Sequence, residues 1–168
     1  MNSFLKVLAC AGIGLLLCRS IALADEDKGE SKSEMAAKNR HATPTTAQID
    51  EHATLAALLD KSSVDAWSSE KAARLEGVLV QVENEEDGDT HIVLAPMGEE
   101  KNTARWVIAE VTRASRAHHK DLGLARLKGL RGKKVAVTGW LYYEPDTDSE
   151  DPRGTRWEIH PVTSITAL

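Results

Sequence analysis

The stretch that decides the fold runs from Arg105 to Tyr143, RWVIAEVTRASRAHHKDLGLARLKGLRGKKVAVTGWLYY. Its hydrophobic period changes twice. Ala104 to Thr112 is β-branched and aromatic enough to form a strand. From His118 to Leu130 the apolar residues Leu122, Leu124, Ala125, Leu127 and Leu130 recur at helical spacings, and Gly123 and Gly129 keep the predicted helix short. Lys133 to Tyr143 returns to period two, with Val135, Val137 and Gly139 alternating against Ala136, Thr138 and Trp140. A strand, a short helix and a second strand are therefore expected in succession.

Working outward, two strands precede this unit and one follows it. The first spans Arg74 to Glu83, where Gly77 signals a bend or bulge. A turn follows at Glu85-Glu86-Asp87-Gly88-Asp89. The second covers Thr90 to Ala95, with Ile92 and Leu94 on one face and His91 and Val93 on the other. Pro96, Gly98 and Asn102 mark the next loop. Beyond Tyr143 a polar loop, Glu144 to Gly154, leads into a last strand over Thr155 to Ile165. The order β-β-β-α-β-β predicts a mainly β, five-stranded Greek-key barrel of the OB type, with one helix between strands three and four. A ferredoxin-like sandwich needs helices after strands one and three, and an SH3-like barrel lacks the helix. Upstream, Ile49, Leu55, Leu58 and Leu59 form a partial helical stripe over residues 49–59, with Asp50 placed to cap it.

The N-terminus reads as an export signal. Lys6 stands in a short first region, Val7 to Leu17 is apolar, and Ala22-Leu23-Ala24 supplies the small residues of a cleavage site. Arg19 ends the apolar run before the roughly 18–20 residues a membrane span requires. Residues 1–24 are thus expected to be removed, leaving a periplasmic or extracellular protein with no membrane span. Cys10 and Cys18, the two cysteines of the chain, both lie in this segment, so the mature protein is expected to have neither disulfide nor thiolate chemistry. The chain carries −5 overall. Lys6 and Arg19 belong to the signal, which leaves −7 on the remainder, and such a charge does not draw a protein to phosphate backbones. Residues 25–48 are charged or small and read as a disordered tether. Residues 49–168 form the expected domain.

Four segments, DTHIVLA (Asp89 to Ala95), VIAEVTR (Val107 to Arg113), VAVTGWLYYEP (Val135 to Pro145) and RGTRWEIHPVTSI (Arg153 to Ile165), together resemble a group of exported bacterial OB-fold-like proteins that end in a Trp-Glu-Ile-His-Pro-Val stretch. The resemblance covers residues 65–168. It implies the barrel and carries no activity.

The residues able to do chemistry are Asp89, His91, Glu110, Glu158 and His160, each of which can accept a proton or bind a metal. His91 and His160 fall on strands two and five, both neighbours of strand three in an OB barrel, where Glu110 would stand between them. His91, Glu110 and His160 are therefore the candidate ligands of a divalent cation such as Zn²⁺, the one cofactor these residues suggest. The competing reading makes Asp89 a turn residue, His160 a strand-end residue and Glu110 a surface group. Asp89, Trp106, Trp140 and Glu158 are candidate ligand contacts on the barrel face, although barrel tryptophans more often serve the core. No G-x-S-x-G, phosphate-binding glycine loop or mature cysteine occurs, so nucleophilic hydrolase chemistry lacks its usual parts.

Between Arg113 and Lys134 stand eight Lys or Arg and one acid, Asp121. Arg113, Arg116, Lys120, Lys133 and Lys134 are the candidate polyanion contacts, set against a plain solvated helix face. The usual OB ligand face is flanked by the loops joining strands 1–2 and 4–5. Here both are acidic, with Glu83, Glu85, Glu86, Asp87 and Asp89 in one and Glu144, Asp146, Asp148, Glu150 and Asp151 in the other, which repels nucleic acid. Asp146 begins a calcium-like loop, but Asp151 replaces the glycine and Trp157 the glutamate that such a loop requires. These features favour an exported, non-catalytic binding module for a protein, glycan or small ligand. A metal-dependent phosphodiesterase-like hydrolase, or polyanion binding through residues 113–134, are the alternatives.

Overall fold

The computed structural model describes residues 32–145 and 152–168. The elements are α1 (Lys32–Lys38), α2 (Leu55–Asp60), β1 (Ala72–Asn84), β2 (Thr90–Ala95), β3 (Val107–Val111), α3 (Arg113–His118), α4 (Leu124–Leu130), β4 (Lys134–Tyr143) and β5 (Trp157–Ala167). The strands close into a barrel in the order β1-β2-β3-β5-β4. All pairings are antiparallel except β3 with β5, which is parallel and brings Ala109 opposite Ile159. This is the OB-fold arrangement expected from the element order.

Period two sorts the side chains between the inside and the outside of the barrel. Ile92 and Leu94 of β2, Val107, Ala109 and Val111 of β3, Val135, Val137 and Leu141 of β4, and Trp157, Ile159, Val162 and Ile165 of β5 belong to one buried core. Leu122, Leu127 and Leu130 join it from the connection between β3 and β4, and Leu55 and Leu58 from α2. The phase of β5 shifts between Ile159 and Val162, opposite irregular pairing around Gly139. A Cβ at Gly139 would run into the carbonyl oxygen of Pro161 and the side chain of Ile159, so the two strands can approach there only because residue 139 has no side chain.

Several boundaries differ from the sequence reading, each for a local reason. Two helices join β3 to β4: α3 ends at His118, where the predicted helix begins, and α4 fills the second half of the predicted span His118–Leu130. Thr112 ends β3 and caps α3, its side chain accepting from Ser115 N at 3.1 Å. A 3₁₀ turn at Lys120–Leu122 and Gly123 as N-cap then start α4. The expected start of strand three is a 3₁₀ turn, Thr103–Arg105. Upstream, Thr54 rather than Asp50 caps α2, accepting from Ala57 N at 3.2 Å. The irregularity in β1 falls between Leu79 and Gln81. Gly77 instead lies beneath Leu55 and the Ala95 carbonyl, too close for a Cβ.

The described part of residues 25–48 begins at Lys32 and makes contacts with the barrel. Lys38 pairs with Glu144 at 3.3 Å and sits 5.1 Å above the Tyr142 ring. Arg40 lies 4.5 Å above the Trp140 ring, whose Nε1–H donates to the Ala42 carbonyl at 3.0 Å. The strap has little to bury, and the contacts it makes are cation–π and polar contacts to aromatic side chains of β4. The expected signal peptide, residues 25–31 and the acidic tip 146–151 lie outside the described residues. Among the described residues, no helix is long and apolar enough to cross a membrane.

Candidate functional site

The outer faces of β2, β3 and β5 carry the ionisable residues singled out in the sequence. His91 pairs directly with Glu110 across β2 and β3. Ala109 faces Ile159 across the parallel seam, so the next residue on each strand, Glu110 and His160, emerges side by side on the outer surface. Glu158 and His160 are two apart on β5 and share that face.

The geometry closes around Glu110. Its Oε2 accepts from His160 Nδ1 at 2.7 Å, and His91 Nε2 lies 3.6 Å away, an ion-pair contact rather than a hydrogen bond. His160 Nδ1 also lies 3.1 Å from Glu158 Oε1. The other oxygen of Glu158 accepts from Arg153 at 3.3 Å. On the open side, His91 Nδ1 faces Glu85 at 3.6 Å. The site grades from wet to dry: the side chain of His91 is 28% exposed, Glu110 13%, and His160 and Glu158 5% and 4%.

These contacts set the protonation states. Burial opposes a charge on His160, but its hydrogen bonding to the Glu110 and Glu158 carboxylates outweighs it and raises its pKa to about 10. Burial likewise opposes the charge on His91, and the Glu110 and Glu85 carboxylates raise it to about 9. Burial would raise Glu110, yet the two imidazoles hold it far below the usual carboxylate range. Asp89 is raised by burial, which the hydrogen bond from the Arg113 main chain only partly offsets.

The structure therefore brings His91, Glu110, Glu158 and His160 together. Asp89 belongs to the adjoining turn, where its Oδ1 accepts from Arg113 N at 2.7 Å. Two trios of possible ligand atoms share Glu110, each with its atoms within 4.8 Å of one another: Glu110, Glu158 and His160, and Asp87, Asp89 and Glu110. Arg153 escaped the sequence reading because loop position gives no facing information. The only signal was its place five residues before Glu158.

The other candidates sit elsewhere and have local duties. Each of the four tryptophans donates its indole N–H to a main-chain carbonyl: Trp67 to Lys61, Trp106 to Glu100, Trp140 to Ala42 and Trp157 to Ser63. Trp106 and Trp140 thus staple a loop and the N-terminal strap. Arg113 and Arg116 close the β1–β2 turn, Arg113 donating to the Asp87 carbonyl and Arg116 to the Gly88 carbonyl and, at 2.5 Å, to Thr90 Oγ1. Lys134 pairs with Glu76 at 3.5 Å on another part of the surface. Lys120 and Lys133 are exposed.

No protein-family model matches the chain, and no curated protein matches it. Among solved structures, the barrel is similar to part of the asparaginyl-tRNA synthetase of Entamoeba histolytica. The complex of that enzyme with asparaginyl-adenylate gives 14% identity and a TM-score of 0.39. A second structure of the same enzyme gives 12% and 0.36. Both matches cover 58% of this chain and 20% of the synthetase, so this chain spans about a fifth of that enzyme's length. A likeness this distant carries no argument about activity.

Proposed function

We propose that the protein is an exported, non-catalytic binding module whose ligand meets the outer face of β2, β3 and β5. The observation that supports this reading is the placement of His91, Glu110, Glu158 and His160 between the β1–β2 turn and the β4–β5 loop, the region where OB barrels take their ligands. Burying several charges costs more than filling the same space with apolar side chains. A fold that needed only stability would have little use for them there.

A binding role suits the site because both imidazoles are engaged by carboxylates, and His160 also packs against the Tyr142 ring at 5.5 Å between ring centroids. Nucleic acid is a poor ligand for this face, since Glu85, Glu86, Asp87 and Asp89 border it. Amide NMR spectra recorded with divalent cations, oligosaccharides, peptides and single-stranded DNA test the reading. Shifts concentrated at His91, Glu110 and residues 158–160 are the expected result, and a panel that moves nothing there would overturn it. Export is tested separately: the protein recovered outside the cytoplasm should begin near Asp25.

A further inference from the structure

We propose that Glu110, Glu158 and His160 form a binding site for one divalent transition-metal ion, with Zn²⁺ the ion the donor set suits best. The inference rests on the reading of this outer face as the ligand site and names the ligand. Three donor atoms converge: His160 Nδ1 stands 2.7 Å from Glu110 Oε2 and 3.1 Å from Glu158 Oε1. An ion held at about 2.0–2.2 Å by a tetrahedral set spaces its donors roughly 3.3–3.5 Å apart. To admit it, the His160–Glu158 pair opens by a few tenths of an ångström and the His160–Glu110 pair by roughly 0.6–0.8 Å.

The surroundings are those of a built site. Glu158 divides its oxygens, Oε1 toward His160 and Oε2 toward Arg153. A guanidinium on the outer oxygen fixes the carboxylate and leaves the inner oxygen directed at the centre, the role outer partners play around metal ligands. Glu158 and His160 sit on β5 two residues apart and Glu110 on the adjacent strand, so strand geometry rather than a loop positions all three. One imidazole and two carboxylates suit Zn²⁺ and neighbouring transition ions. Calcium takes six to eight oxygens, more than this trio supplies. Ligation uses the Nδ1 lone pair, so the proton on that nitrogen leaves when the ion enters. Three protein donors leave a fourth position open. An anionic or carbonyl oxygen of a partner molecule would occupy it, which makes the ion the means by which the module holds its ligand.

The test uses the full chain, stripped with a chelator and titrated with Zn²⁺ by calorimetry and with Co²⁺ by visible absorption. One equivalent should bind, with a tetrahedral Co²⁺ spectrum. E158Q and H160Q, which preserve shape, should each weaken binding roughly 100-fold or more, with circular dichroism reporting that both remain folded. The trio Asp87, Asp89 and Glu110 and the stacked surface imidazoles His41 and His118, 4.2 Å apart between ring centroids, are competing sites, and neither D87N nor H118A should change the stoichiometry. Binding abolished by H118A and retained in E158Q and H160Q overturns the proposal, as does the absence of a stoichiometric ion. Should oligosaccharides or peptides still shift the β2–β3–β5 face without an ion, the cation assignment fails while the binding-face reading stands. A face that responds to nothing removes both.

Discussion

Glu110 and His160 meet at 2.7 Å across the one parallel seam of the barrel. Each stands one residue beyond the Ala109–Ile159 register pair, so backbone pairing alone delivers both side chains to the same outer spot. The contact is mostly shielded from water, which strengthens it and makes its loss expensive.

Replacing Glu110 by Gln leaves two imidazoles without their shared carboxylate. Breaking a buried ion pair by removing one partner costs about 3–5 kcal/mol. E110Q keeps the shape and remains 13% exposed, so a loss near the low end, about 3 kcal/mol, is expected from urea unfolding. A loss below about 1 kcal/mol would mean that the pair contributes little net stability.

The pH dependence of the metal-free protein follows from the same contacts. His91 and His160 are raised from 6.5 to about 9 and about 10. Their contribution is fully present below pH 6.5 and is lost as pH rises through 9 and 10. Glu110 is depressed from 4.5, so its contribution is present above pH 4.5 and is lost on acidification below it. Stability should therefore be greatest between pH 4.5 and 6.5 and decline toward pH 10. NMR titration of the His91 ring should give a midpoint near 9. A stability profile flat from pH 6.5 to 9 would contradict this assignment.

The N-terminal strap should be removable without unfolding the barrel, because among the described residues none before Ala53 belongs to the core. Truncation before Thr43 uncovers Trp140 and Tyr142 by removing Arg40 and Ala42. A red-shifted tryptophan emission with unchanged β-sheet dichroism is expected, and the shift should vanish in a W140F background. Unchanged emission would show that the strap does not cover Trp140 in solution.

Two glycine-to-alanine changes should act with opposite sign. G139A pushes a methyl group into the Pro161 carbonyl and Ile159 and should cost about 2–3 kcal/mol, the scale of overpacking. G129A, inside α4 with nothing within 4 Å, should stabilise by about 0.5–1 kcal/mol through helix propensity. Thermal unfolding of the two variants decides both, and equal effects would mean the close approach at Gly139 can relax.

Strand periodicity determined much of this molecule by itself. The change of period between Thr112 and Lys133 selected the barrel, and alternation along β2, β3 and β5 put His91, Glu110, Glu158 and His160 on outward positions, because side-chain direction in a strand is a local property of the backbone. Which of those groups touch was decided only by tertiary structure. That Glu158 stands with His91, Glu110 and His160 was known only from the register of β3 on β5, since a register is a relation between segments that neither contains. Arg153 joined from a loop with no period to read. Arg113 and Arg116, candidate polyanion contacts from composition, also hold the β1–β2 turn, and the strap's cations found aromatic faces about a hundred residues away in sequence. Such pairings depend on where the folded chain brings distant side chains, and local sequence has no means of stating that.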